Sequence, residues 1–208
     1  MNLLLAFLRA ADRDSSPDPE CIARVRKISG VRWLHEYVPG THRLDAFVLA
    51  GLDADAEVVA ERAVQELRGR WFVHAGVFRW RIGGVPGEDY LRGAGPVSVF
   101  ACDAKKESED EWNEYYDTVH FPNVVRLPIY LAGARYVRAG AGSSDFDGPV
   151  RKYLVVYELR PGLGIEALDP GARSPQAAAE YADWIERGQP LIENAVSFAA
   201  TPRNDGTR

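Results

Sequence analysis

Apolar residues in the first half of the chain change period repeatedly, and each change marks an element. NLLLAFLRA (2–10) is a nearly continuous apolar run that predicts a strand, and a loop rich in Asp, Ser and Pro follows it. PECIARVRKIS places Ile22, Val25 and Ile28 at helical spacing, and Gly30 stops that helix. VRWLHEYV (31–38) alternates as a strand does, PGTH turns the chain back, and LDAFVLAGL predicts a second strand of a pair. DADAEVVAERAVQELRGR predicts an amphipathic helix with Val58, Val59, Ala63 and Leu67 on one face. FVHAGVFRWRI (72–82) is the fourth predicted strand.

The second half repeats the order. PVSVFACDA (96–104), LAGARYVRA (131–139), RKYLVVYEL (151–159) and AVSFAATP predict strands. EWNEYYDTVHFPNVVRLP (111–128) predicts the first helix, capped by Ser108 and stopped at Pro122. SPQAAAEYADWIERG predicts the second, with Ser174 as N-cap and Pro175 in the first helical position. Each half therefore reads β-α-β-β-α-β, a ferredoxin-like unit. The expected fold is α+β: two tandem ferredoxin-like repeats whose sheets pack into a pseudo-dimeric α/β barrel. A four-stranded sheet with both helices on one face must bury its other face, and a second such sheet is the natural cover. The expected boundaries are an N-terminal repeat at 1–83, a glycine-rich linker at 84–96, a C-terminal repeat at 97–200 and a flexible tail at 201–208.

Composition narrows the partners. Net charge is −5 with basic residues scattered, which argues against a nucleic-acid surface. No apolar run is long enough for a membrane span, and the start lacks a signal-peptide pattern. Cys21 and Cys102 have no motif spacing, so a reducing, cytoplasmic setting is expected, and the four histidines show no metal-ligand spacing. No metal and no obligatory cofactor are expected. The assembly expected is a monomer, as an internal pseudo-dimer, or a homodimer.

The densest chemistry lies in EWNEYYDTVHFPNVVRLP (111–128). Ser108 and Glu111 form a capping-box pattern, and Trp112, Tyr115, Tyr116 and Val119 fall on one helical face suited to packing on the sheet. His120 sits where Pro122 is expected to end the helix. A histidine there can simply cap the helix. Alternatively, Asp117 three residues earlier can hold one ring nitrogen, leaving the other as a base beside the Tyr116 phenol.

WNEYYDTVHFPNVVRLPIYLAGARYVRA resembles the EthD-like branch of the dimeric α/β barrel superfamily, through an aromatic helix, a Y-x-x-x-H-x-P core and a strand ending in R-Y. Tyr115, Tyr116, His120, Pro122, Gly133, Arg135 and Tyr136 occupy those places. The first half has no counterpart of the H-x-P segment. The resemblance implies His120 as acid/base and Tyr116 as its polar neighbour. It implies a menu of lactone isomerases, polyketide cyclases, dehydratases, decarboxylases and cofactor-free oxygenases. Some relatives bind haem, but no histidine here has a sequence context that supports an axial ligand.

The expected function is therefore cofactor-independent acid/base catalysis on an aromatic or polyketide-like carbonyl compound, in a pocket of the second half at or near the sheet interface. The alternatives are a non-catalytic binder of an apolar small molecule and a cofactor-free monooxygenase. His120, Tyr116 and Asp117 are the catalytic candidates. Trp112, Tyr115, Tyr136, Arg135, Tyr153 and His74 are the substrate-binding candidates. For several of these, packing is the more usual role: His74 as a core histidine, Tyr153 as one face of its strand with Val155 and Tyr157. Of Arg135 and Tyr136, only one can point into a barrel. His35 and His42, flanking the YVPGT turn, read as surface residues.

Overall fold

The computed structural model describes residues 2–10, 19–39, 46–53, 55–69, 71–85, 88, 91, 95–140, 142–145, 150–169, 171 and 174–203. The strands are β1 (Asn2–Ala10), β2 (Val31–Pro39), β3 (Ala46–Leu52), β4 (Trp71–Gly83), β5 (Val97–Ala104), β6 (Tyr130–Arg138), the short β7 (Ser143–Ser144), β8 (Tyr153–Leu159) and β9 (Ile192–Pro202). The helices are α1 (Pro19–Arg26), α2 (Ala56–Arg68), α3 (Glu109–Tyr115), α4 (Phe121–Val125) and α5 (Pro175–Asp183).

All pairings are antiparallel, in the order β1-β3-β2-β9-β5-β8-β6-β4, and β4 pairs back onto β1. The sheet is thus a closed ring of eight strands, with β7 added alongside β4. Two seams join the halves. Tyr37–Pro39 of β2 meets Ala200–Pro202 of β9, and Phe78–Gly83 of β4 meets Ala134–Arg138 of β6. Closure gives each of the eight strands a neighbour on both sides, although β2 meets β9 only over Tyr37–Pro39. The first four strands stand in the order β4-β1-β3-β2 and the later ones in the order β9-β5-β8-β6.

Burial on both faces explains the continuous apolar runs. In β1, Leu3, Leu5 and Phe7 fill the ring with Phe47, Phe78, Val99, Leu154, Val156 and Phe198. Leu4, Ala6 and Leu8 face outward against Ile22, Val25, Val59, Ala63 and Leu67 of α1 and α2. On the opposite side, Tyr153, Val155, Tyr157 and Leu159 face outward against Trp112, Tyr116, Phe121 and Val124. The protein thus has an inner core and two outer ones, each lying between sheet and helices.

Several expectations change. Ser108 makes no side-chain cap bond; a 3-10 turn at Lys106–Ser108 leads into α3 instead. The helix does not stop before Pro122. It widens into a π-helical turn at Tyr116–His120, where the Phe121 amide donates to the Tyr116 carbonyl, and continues as α4 with Pro122 in its first turn. A proline ring crowds the carbonyl four residues back, and a wider turn relieves that contact. Ser174 caps α5 as expected, accepting from the Ala177 amide at 3.2 Å. Val58 points to solvent, the stripe of α2 running through Val59, Ala60, Ala63, Val64 and Leu67. Cys21 and Cys102 form no disulfide with each other and are buried in different outer cores. Of the expected tail, residues 201–203 belong to the barrel: β9 runs to Pro202, and Arg203 pairs with Glu36 across the β2–β9 seam, while 204–208 lie outside the described residues. His42 and parts of the expected linker lie outside the described residues. Within that linker, Leu91 is buried and its amide donates to Glu158 Oε2 at 2.6 Å.

Candidate active site

A cleft of about 300 Å³ opens on the outer face of β9-β5-β8, beneath α5. Outward-facing Ser98, Phe100, Tyr157, Ser197 and Ala199 form its floor, and Tyr116, His120, Val124, Leu127 and Tyr130 form one side. Ala177, Glu180, Tyr181 and Trp184 close the other side, from one face of α5 and the π turn Trp184–Gly188 that extends it.

His120 is held by α5. Its Nδ1 lies 2.8 Å from Glu180 Oε1, and both side chains are largely buried, at 12% and 10% exposure. A carboxylate accepts only, so Nδ1 carries the proton and Nε2 is the nitrogen left to act as a base. The imidazole packs on Trp184 at 4.7 Å between ring centroids and meets Tyr116 edge-on at 4.9 Å. Its rotamer is thus fixed by a charge on one side and aromatic rings around it.

The Tyr116 and Tyr157 hydroxyls stand 3.3 Å apart on the same cleft, and both phenols are buried. Burial drives both well above the usual phenol range, so each keeps its proton at any neutral pH. The pair holds two protons and one mutual bond. One O–H therefore remains to donate to a ligand oxygen.

Asp117 does not hold His120. Its carboxylate pairs with Arg135 and, at 2.6 Å, with Arg81 of β4. The π turn breaks the helical phase that would have put Asp117 and His120 on one face, and the fully buried Arg135 cation claims the carboxylate. Arg135 also donates to Asn113 Oδ1 at 2.8 Å and stacks within 4.7–5.4 Å of Tyr153, Tyr116 and Trp112. Its Nε has no hydrogen-bond partner. It is an enclosed cation behind Tyr116 and does not line the cleft.

The other candidates do not line the cleft, although Tyr115 stacks beside His120 at 6.0 Å. Tyr136 points into the ring. Trp112 is wholly buried between Tyr116, Tyr153 and Trp184. Tyr115 donates to Asp183 at 2.8 Å outside the cleft, with Arg187 over its ring. Tyr153 donates to Glu109 at 2.5 Å and accepts from Asn113 at 3.0 Å; burial and the Glu109 carboxylate push it up to about 12. His74 uses both nitrogens structurally. Nδ1 meets Ser144 Oγ at 2.8 Å and Nε2 accepts from the Val150 amide at 3.1 Å. His35 is half-buried on β2 opposite Leu49 of β3, stacked on Trp33.

The sequence reading missed Glu180 and Trp184. Their signal was a stripe through Ala177, Glu180 and Trp184 of α5, with one carboxylate set in an otherwise apolar face. Among the described residues, no group of three His, Cys, Asp or Glu side chains could hold a metal ion, and no helix is long and apolar enough to cross a membrane.

No protein-family model matches the chain, and no curated protein matches it in sequence. Solved structures share the fold, a dimeric α/β barrel. A monooxygenase-like protein of Fusobacterium nucleatum superposes with TM-score 0.63 at 10% identity, over 98% of this chain and 93% of its own. An anthrone oxidase-like protein gives 0.56 at 11%, over 98% and 91%. A heme-binding protein of Thermus thermophilus gives 0.52 at 12%, over 99% and 92%. Likeness at such identity speaks for the fold alone.

Proposed function

We propose that this protein is a small-molecule enzyme that moves a proton next to a carbonyl group, with His120 as the base. The observation that carries this is the His120–Glu180 pair on the wall of an apolar cleft that also presents the Tyr116–Tyr157 hydroxyls. Nε2 of His120 takes a proton from the carbon alpha to the carbonyl, and the C–H electron pair moves onto the oxygen. A phenol O–H donates to the resulting enolate, and Glu180 stabilises the imidazolium. Returning the proton to another carbon gives isomerisation; loss of a β-hydroxyl as water gives dehydration; attack on a second carbonyl gives cyclisation.

A second reading shares the first step and is favoured by the fold's likeness to monooxygenase-like and anthrone oxidase-like proteins. Dioxygen adds to the enolate carbon, His120 returns its proton to the peroxide, and loss of water leaves a new C=O. In both, function resides in the second half. The two halves read as tandem copies of one ferredoxin-like unit, 1–83 and 97–200, supported by their matching strand order. The second copy carries the EthD-like H-x-P segment.

A haem does not fit this site. His120 has the carboxylate-backed imidazole that an axial ligand needs, which the sequence did not reveal. A cleft of about 300 Å³ is nevertheless too small for a tetrapyrrole, and its described lining offers no cation for propionates.

The test is turnover of aryl ketones by wild type, His120→Ala and Tyr116→Phe, with oxygen uptake recorded. Loss of turnover in both folded variants supports the mechanism, and oxygen consumption selects the second reading. Full activity in both variants refutes it.

A further inference from the structure

We infer that the substrate is an uncharged aryl ketone of one or two fused rings. The inference rests on the acid/base reading of the cleft and concerns what the cleft admits. Glu180 is the one charged side chain among the described lining residues. The nearby cations are turned elsewhere: Arg126 and Arg187 line a separate outer groove, which shares Leu127 and Glu180 with the cleft. Arg135 lies behind the Tyr116 ring at 4.8 Å, engaged by Asp117 and Asn113. A carboxylate or phosphate on the ligand would enter beside the Glu180 carboxylate without a counter-charge, which is costly in an apolar enclosure.

Size follows from the walls. About 300 Å³ is at the small end of ligand pockets. Trp184 is braced by Phe100 at 5.5 Å and Trp112 at 5.6 Å, both near edge-on, so this wall does not widen without repacking an outer core. The space between Trp184, Phe100 and Tyr130 suits a flat ring system. The ketone oxygen belongs at the Tyr116–Tyr157 pair, whose spare O–H is the buried donor of the floor. The acidic C–H then falls to His120.

The test is an equilibrium titration of the full chain at pH 7.5, read by tryptophan fluorescence and by calorimetry. The probes are 2-acetyl-1-naphthol, 1-hydroxy-2-naphthoate (the same skeleton with O⁻ for methyl) and the three-ring anthrone. Ala177→Trp, which fills the cleft from α5, places the binding, and Ala177→Phe serves if that variant does not fold. The naphthyl ketone should bind, with the carboxylate at least about tenfold weaker and anthrone weaker than the two-ring ketone. A carboxylate that binds equally well, and is lost on filling the cleft, overturns the charge inference while the acid/base reading stands. Tighter anthrone binding in the cleft overturns the size inference alone. No binding by any probe, or binding indifferent to a filled cleft, overturns both.

Discussion

Glu180 Oε1 stands 2.8 Å from His120 Nδ1, across 60 residues of sequence. A carboxylate in that place fixes the tautomer, holds the ring and would steady a positive charge on it. Glu180→Ala should lower kcat about 10²–10⁴-fold, because the imidazole loses the partner that sets its tautomer. KM should change little. Steady-state kinetics with a circular dichroism check on folding decide it, and an unchanged kcat would make Glu180 a bystander.

Asp117 has a different task. It neutralises a fully buried guanidinium, so Asp117→Ala leaves Arg135 as an uncompensated internal charge, at a cost of about 3 kcal/mol. Urea denaturation should show that loss. Adding Arg135→Met to the same variant should recover part of the stability, whereas additive losses would show that the pair is not coupled.

His35 sets a pH dependence of stability. Burial lowers its pKa below 6.5, against a hydrogen bond to the Leu91 backbone that raises it. The unfolded chain then binds more protons than the folded one between the folded pKa and 6.5. Its contribution is complete above pH 6.5 and falls away as the pH drops below it. His35→Gln should lose less stability than wild type between pH 7.5 and pH 5.5 in denaturant titrations. Equal losses would place the acid sensitivity elsewhere.

Cys102 lies in the outer core behind the cleft, and burial pushes its thiol up to about 12. Cys21 is equally enclosed. Neither should react with iodoacetamide in the native protein at pH 8, and both should react in urea, as mass spectrometry can count. Rapid native labelling would show that the outer cores open.

Much of the ring was legible. NLLLAFLRA and YLVVYEL are continuous because they are covered on both faces, and that period marks a strand buried on both sides. That Tyr116 and His120 stand side by side was legible too, in an aromatic helix carrying H-x-P. What failed was phase. A local pattern assumes 3.6 residues per turn, and the π turn at Tyr116–His120 shifts Asp117 towards Arg135 and Arg81 and turns His120 towards α5. The location failed for a different reason. Alternation already set Arg135 and Tyr136 on opposite faces, but the pocket was expected at the sheet interface, whereas Tyr136 points into a filled ring and the cleft lies on the outer face. Glu180 is a long-range partner, so a reading confined to the neighbours of His120 could not reach it.

The central claim is that His120 is a base towards a carbon next to a carbonyl. Deuterium wash-in at the acetyl group of 2-acetyl-1-naphthol, followed by proton NMR in D₂O, measures that step whatever happens next. Wild type should exchange these protons well above the buffer rate. His120→Ala should lose about 10²–10⁴-fold, with partial rescue by added imidazole. Exchange that survives undiminished in a folded His120→Ala protein would contradict the account.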